Sequence, residues 1–484
     1  MLLLHEEALN TSLRVFCKEI HPIALKCSMA HEAHPPQDLP RVLRTSHATA
    51  IVVGTLIGSG IFLVPQEMMR ATGSSGLVYL AWIVGGLLSL FGAMTYAELS
   101  TMLPYTGGEY VYLRGAYGDL TAFLYMWTWF AVAKPASIAS VTIGLARTLA
   151  IFPAFHWLDT TAFAIPFTVT WAQLFAIAAT WLITGLNYLG IKKAGDFQLV
   201  STWIKGLLIL FIAGFCFAST KGHWSNFGTV FHGATGSFGG FMIALIAALW
   251  AYDGWNDLTM VSGEVQQPEK SLPTALIAGL AIVGVLYMAT NAAIQYILPA
   301  AQIAASPRPA VAALSAVTGP RGAALVSGVM ALSIFVTLNG TIMSGARVPF
   351  AAARDGLFFR RMGDIHPRFQ SPSTSLIVQA LLTTGLLLAV GRFQQLFELA
   401  IFAEWLFYLI TATTIFFYRS RMPKATTYRV WGYPVVPALF IAAAAVLLYY
   451  SYAENFKNSL MGTAVILLGI PLYLILRSRH TKIS

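Results

Sequence analysis

Gly54-Thr55-Leu56-Ile57-Gly58-Ser59-Gly60-Ile61-Phe62 lies inside an apolar segment that begins near His47 and runs past Val64. Three glycines within seven residues suit a helix poorly, since each costs up to about 1 kcal/mol relative to Ala. If the segment crosses a bilayer, a break in it frees backbone groups that must find partners inside the protein or in a water-filled cavity. Two readings are open. Either Gly54, Gly58 and Gly60 are small residues at a helix–helix contact, or the helix breaks there. In the second case its exposed N–H groups, with the half-helix dipole behind them, hold an anionic group near the midplane.

Composition decides the setting. Of 484 residues, 57% are hydrophobic and only 10% charged, where a soluble chain carries roughly a quarter charged. With a mean hydropathy of +0.68, this is an all-α integral membrane protein in contact with the lipid bilayer. A net charge of +10 would suggest nucleic acid in a soluble protein. Here the positive residues fall between apolar spans and act as topology signals, so no nucleic-acid partner is expected. Cys17, Cys27 and Cys216 have neither metal-ligand spacing nor a disulfide pattern. No metal or cofactor is expected. No stretch resembles a cleavable signal peptide, because Met1 to Leu4 is followed at once by His5, Glu6 and Glu7.

Residues 1–44 are polar and mixed, and are expected to form a mostly disordered tail in which Met29 is an alternative start. Its histidines are expected at the surface. Apolar stretches of bilayer-spanning length then recur near 47–70, 76–102, 119–152, 171–190, 196–219, 236–263, 273–299, 322–350, 374–391, 395–418, 434–453 and 459–477. This predicts 12 transmembrane helices with both termini on one side. Of the 30 Lys and Arg residues, 20 fall on the side of the termini, 5 in the opposite loops and 5 within spans. The bias places both termini in the cytoplasm.

A second interruption, Trp250-Ala251-Tyr252-Asp253-Gly254-Trp255-Asn256-Asp257, falls in the sixth span. Corresponding breaks in two halves of a transporter are the best sequence pointer to its binding site. The pairing favours transport over simple packing.

These residues carry a resemblance. Gly54-x-x-Ile57-Gly58-Ser59-Gly60-Ile61-Phe62 resembles the first-helix signature of the amino acid–polyamine–organocation (APC) superfamily. Leu249 to Asn256, with Gly263-Glu264, Pro268-Glu269 and Leu272-Pro273, resembles helix six of its L-type amino acid transporter (LAT) family. Tyr96-Ala97-Glu98-Leu99 and Thr106-Gly107-Gly108-Glu109-Tyr110 are similar to the second helix and the loop after it. Leu338-Asn339-Gly340 and Ala351 to Leu357 are similar to the eighth helix and its exit, so the match runs in order over roughly 45–420.

The resemblance implies a LeuT-like fold of two inverted five-helix repeats with helices 1 and 6 discontinuous. The repeats would occupy 45–218 and 236–420, followed by helices 11–12 over 421–477 and a cytoplasmic tail over 478–484. It implies an amino acid substrate whose carboxylate meets N–H groups around Gly58, Ser59 and Gly60. The α-ammonium would meet carbonyls near Thr55, Leu56 and Ile57 and near Trp250 and Ala251. Trp250 matches an aromatic that closes over the substrate from outside, and its other reading is an interfacial or packing tryptophan. Lys205, near mid-membrane, matches a lysine that stands where sodium-coupled relatives hold the ion, which implies transport without sodium; its other reading is a snorkelling lysine.

Asp253 is expected to meet a basic substrate, cap the broken helix or bridge to a polar neighbour, and these remain open. Glu404 either lines the side-chain pocket, serves a proton step or makes a structural hydrogen bond. Lys134 and Arg147 are expected at packing or outer-boundary positions, with Ser344 and Arg347 facing the bundle interior. In eukaryotic L-type members a cysteine after helix three links a heavy chain. The corresponding loop here, Pro153 to Thr170, has no cysteine, so no disulfide-linked heavy chain is expected and the chain stands as a prokaryotic-type monomer or homodimer in the inner plasma membrane.

The expected activity is sodium-independent amino acid exchange. The alternatives are a proton-coupled symporter, with Asp253 or Glu404 titrating, and a non-transporting sensor. An intramembrane enzyme is not expected, because no HExxH motif or clustered ligand set is present.

Overall fold

The computed structural model describes residues 39–164, 168–389, 393–423, 428–454 and 456–480. Most of the expected N-terminal tail, including Met29, and the last four residues lie outside these. The chain divides into a unit of residues 1–40 and a second of 41–484, and the description below is of the second.

The opening segment forms two helices, α1 (Thr45–Leu56) and α2 (Gly60–Thr72), bent by 42° at a break over Ile57 to Ser59. The three glycines divide their roles. A Cβ on Gly54 would lie 2.0 Å from Gln198 Nε2, and one on Gly60 would lie 3.3 Å from the Ala251 Cβ, so both sit at close helix contacts. Around Gly58 the nearest atom would be Thr337 Oγ1 at 3.8 Å, so its backbone faces open space. Packing and breakage thus both operate in one stretch.

Next come α3 (Ser75–Met102), the short α4 (Glu109–Tyr117) and the long α5 (Asp119–Leu149). Helix α5 widens into a π turn over Trp129–Ala133, directly before Lys134 and Pro135. Pro135 has no N–H to return to a preceding carbonyl, a local cause for the change in pitch. A two-stranded antiparallel sheet, β1 (Thr161–Phe163) and β2 (Val169–Thr170), links α5 to α6 (Trp171–Tyr188). A Thr170–Gln173 capping box starts α6. Helix α7 (Ile191–Phe217) follows.

The second interrupted stretch forms α8 (Ser237–Ala251) and the single turn α9 (Asp257–Met260), joined through Gly254 at φ +106°. Beyond it run α10 (Pro268–Ile297), α11 (Ala300–Ala305), α12 (Pro309–Thr318), α13 (Pro320–Gly345) and α14 (Arg347–Arg354). The chain ends with α15 (Ser373–Ala389), α16 (Phe393–Arg421), α17 (Val435–Glu454), α18 (Phe456–Leu467) and α19 (Gly469–His480). Among the described residues seven helices are long and apolar enough to cross a membrane, eight with the bent α1–α2 pair.

The broken pair sits in the centre. Helix α10 packs on α1 and α3, and α8 packs on α2 and α3. On the other side α7 and α13 pack against α1. The two breaks meet directly, because the Thr55 hydroxyl donates to the Gly254 carbonyl at 2.9 Å. Tyr252, Trp82 and Tyr287 cluster beside them, with ring centroids 5.0–5.7 Å apart.

A Cβ on Gly340 of α13 would lie 2.3 Å from the Thr55 Cγ2, and that side chain is fixed by its bonds to Ile51 and Gly254. Gly340→Ala is therefore expected to lower stability by about 1–3 kcal/mol. Gly58→Ala, which meets open space, lowers it less. Melting temperatures of the two variants in detergent check this, and equal losses would contradict the packing described.

Candidate functional site

Interrupting α1 strands carbonyl groups that a continuous helix would use. The Ile57 backbone has ψ 82°, which turns the chain out of helix. Lys205 of α7, fully buried, donates its ammonium to Gly54 O and Ile57 O, each at 2.8 Å. Two hydroxyls from α13 complete the clamp: Thr337 bonds Gly54 O at 3.0 Å, and Ser333 bonds Ile57 O at 2.6 Å. The Tyr287 hydroxyl of α10 lies 2.8 Å from both Leu56 O and Ala251 O, so one phenol ties the ends of the two half-helices together.

At the start of α2 the situation is reversed. The N–H groups of Ser59, Gly60 and Ile61 have no partner among the described residues. These are the orphan donors at a helix N-terminus, where partial positive charge collects. Ser59 and Gly60 border a cavity of about 330 Å³.

The sequence-predicted residues divide around this cavity. Thr55, Leu56, Gly58, Ser59, Gly60, Trp250, Ala251, Asp253 and Glu404 all line it. Ile57 does not, since its carbonyl points into the Lys205 clamp. Lys205 itself lies behind the break. The Trp250 ring lies over Gly60, 3.5 Å from where a Cβ would stand.

Two charged wall residues went unassigned in the sequence. Lys134, expected at a packing or boundary position, bonds Asp257 Oδ1 at 2.5 Å in a buried ion pair on the cavity wall. The signals available were a lysine inside an apolar span and an acid closing the second interrupted stretch. Asp253 accepts a hydrogen bond from the Tyr408 hydroxyl at 2.8 Å, and the same hydroxyl lies 3.2 Å from Glu404 Oε1. Arg147 and Arg308 line the cavity toward the end of the molecule where α5 finishes.

The opposite end, where α1 begins, carries three side-chain pairs between acids and Arg or His. Arg347 and Glu264, both fully buried, form a two-point pair at 2.9 and 3.3 Å. Arg419 grips Glu98 at 2.7 and 2.6 Å, and the Val430 N–H adds a third bond. His47 meets Asp196 at 2.9 Å. Its Nδ1 accepts from the Arg44 N–H, so its Nε2 carries the proton given to Asp196.

Among the described residues no group of His, Cys, Asp and Glu is arranged to hold a metal ion. The cavity thus brings together unpartnered N–H donors, acidic side chains and an aromatic ring.

A family model described as amino acid permease matches residues 43–471. The serine/threonine exchanger SteT of Bacillus subtilis is 31% identical over 441 residues, 90% of this chain and 96% of that protein. The human cystine/glutamate transporter is 30% identical over 453 residues, covering 92% and 88% of the two chains. The mouse b(0,+)-type amino acid transporter 1 is 32% identical over 363 residues, 75% and 72% of the two.

Glu109 opens α4, between the spans of α3 and α5, and is fully buried. Burial pushes its carboxyl up to about 7, against the pull of the Tyr125 and Tyr96 hydroxyls that donate to it. Between its ordinary 4.5 and about 7 the folded protein holds more protons than the unfolded chain. Stability is then expected to fall as pH rises through that window. Glu109→Gln removes this slope. Melting curves of both proteins across the window check it, and identical slopes would contradict the assignment.

Proposed function

The chain belongs to the amino acid permease family of the APC superfamily, within its L-type branch, and from that premise we propose that it is a sodium-independent amino acid exchanger. It is a multi-pass membrane transporter and not an enzyme. The observation that carries the proposal is the junction of two helix breaks at one cavity, with free N–H donors on α2 and a fixed ammonium behind α1.

In this reading the substrate carboxylate docks on the N–H groups of Ser59 and Gly60 with Gly58 alongside, as the dipole of α2 favours. Its α-ammonium meets the carbonyl edge formed by Thr55, Leu56, Trp250 and Ala251, while the Ile57 carbonyl, expected there from the sequence, is held in the Lys205 clamp. Trp250, lying over Gly60, closes the site from outside, and Asp253 and Glu404 face the substrate side chain. Lys205 stands where a sodium ion would otherwise bind. An immobile ammonium supplies a cation's charge to Gly54 O and Ile57 O permanently, so no sodium gradient enters the cycle.

The fold proposed is LeuT-like: 12 spans, with inverted repeats over 45–218 and 236–420 and two further helices over 421–477. Both termini are cytoplasmic in the inner membrane, as the distribution of basic residues favours. The cavity mouth at Arg147 and Arg308 then faces outward. Spans one, two, six and seven rock against spans three, four, eight and nine to open the opposite face. Two ion pairs support this division, since each joins the proposed moving bundle to a proposed stationary span: Glu264–Arg347 and Lys134–Asp257. The relatives are named as exchangers of serine and threonine and as transporters of cystine, glutamate and other amino acids. The loop after span three has no cysteine for a heavy chain, so a monomer or homodimer is proposed.

The test is uptake of radiolabelled amino acids into sodium-free proteoliposomes, with and without unlabelled amino acid inside. Exchange requires uptake into preloaded vesicles only. Equal uptake into empty vesicles that rises on external acidification would replace exchange with proton symport, and binding without flux would indicate a sensor. Lys205→Met leaves two buried carbonyls short of a donor, and is expected to slow exchange by about ten- to a hundredfold.

A further inference from the structure

A second cavity, of about 540 Å³, lies away from the candidate site and is lined by apolar side chains alone. Two helices form its walls with one and the same spacing. Trp171, Phe175, Ala178 and Leu182 recur at i, i+4, i+7 and i+11 on α6, which sets them on one face. On α13 that spacing relates Arg321, Leu325, Gly328 and Leu332, with Phe335 one turn further. These faces look outward, since Leu182 is 66% exposed and Leu325 41%. Leu145 of α5, almost fully buried, forms the floor. Each wall carries a small residue at its third position, and a Cβ on Gly328 would meet nothing within 4 Å. The paired notches leave room for a chain between them.

The depth of this groove decides what it holds. Eleven residues of helix rise about 16 Å. From Arg321 to Leu332, and from Trp171 to Leu182, the walls therefore cover half of a hydrocarbon core about 30 Å thick. Beyond that the groove ends. Phe335 meets Phe197 edge-on with ring centroids 6.0 Å apart, and Ile183 of α6 joins Leu338 and Ile342 of α13 in one buried cluster. A partner helix or a second copy crossing the bilayer would use both leaflets. An acyl chain needs only one.

The rim sets the headgroup. Trp171 opens α6 and is 42% exposed, as suits an indole at headgroup level. Arg321 is exposed on the first turn of α13 and forms no ion pair or hydrogen bond among the described residues. Its guanidinium is available to a phosphate in two-point geometry.

We propose that the groove between α6 and α13 binds one anionic phospholipid, its phosphate on Arg321 and an acyl chain running past Ala178 and Gly328 to Phe335. The inference goes beyond the transport reading and needs only a chain that spans the membrane. Spans three, four and eight, which form the groove, all belong to the proposed stationary set, so rocking of the other spans leaves it intact.

The experiment is native mass spectrometry of the full chain in detergent, offered dioleoylphosphatidylglycerol or dioleoylphosphatidylcholine, whose acyl chains are identical. Wild type is expected to retain one phosphatidylglycerol about fivefold more strongly than phosphatidylcholine, the scale of one basic residue at a membrane surface. Arg321→Gln brings the two lipids level. Gly328→Phe and Ala178→Phe fill the notch from opposite walls, and each lowers retention of both lipids. Gly206→Phe, on an open stretch of α7, keeps the wild-type pattern and controls for a new ring on the lipid face. Equal retention of the two lipids by wild type would overturn the headgroup assignment. Unchanged retention in both filled variants would overturn the groove. A wild-type dimer that both filled variants dissociate would give the groove to a second copy and remove the lipid.

Discussion

A carbonyl group without a donor is expensive inside a membrane protein, and the architecture around the first helix follows from that cost. Breaking α1 at Ile57 creates the site and exposes Gly54 O, Leu56 O and Ile57 O together. Four side chains from three other helices answer: Lys205, Ser333, Thr337 and Tyr287. Lysine is the unusual member, because a buried ammonium carries its own desolvation penalty. Here two carbonyl dipoles offset part of that penalty, so one costly group satisfies others. Remove the break and Lys205 loses its acceptors; remove Lys205 and Gly54 O and Ile57 O keep only the Thr337 and Ser333 hydroxyls.

The same constraint explains why the two interrupted helices must lie side by side. Each break exposes carbonyls that the other can help to satisfy. Thr55 caps Gly254 O, and Tyr287 spans Leu56 O and Ala251 O. The site is thus shared between two distant stretches of sequence, neither of which forms it alone. That sharing lets a change at one half-helix be felt at the other through bonds 2.8–2.9 Å long.

How much of this could be read from sequence varied with range. The glycine run and the Trp250–Asp257 interruption are local signals, and both mark breaks. Whether the glycines packed or broke the helix could not be separated, because the answer differs by residue: Gly54 meets Gln198, while Gly58 faces the cavity. Lys205 stood out because ammonium groups are rare in apolar spans. Lys134 carried the same signal, yet its role depended on Asp257, more than a hundred residues away, and on a π turn ahead of Pro135 that rotates the helix. Tyr408 and Tyr287 were invisible for a different reason. A tyrosine in an aromatic-rich apolar span carries no mark of where its hydroxyl points.

The closed end of the molecule raises a question of energetics. A seal built of apolar side chains would gain about 25 cal/mol per Å² on closing and lose it on opening, so a well-packed seal would trap one state. Buried ion pairs behave otherwise. Their Coulombic attraction is largely offset by the loss of hydration on closing, and hydration is recovered on opening. Glu264–Arg347 and Glu98–Arg419 are geometrically demanding, with two contacts each, so they fix the closed arrangement without making it much deeper in free energy. His47–Asp196 adds a weaker, half-exposed contact at the start of the broken helix itself. In the proposed transport cycle, specific geometry with a shallow net gain would let this end open again, which an apolar seal of leucines would resist.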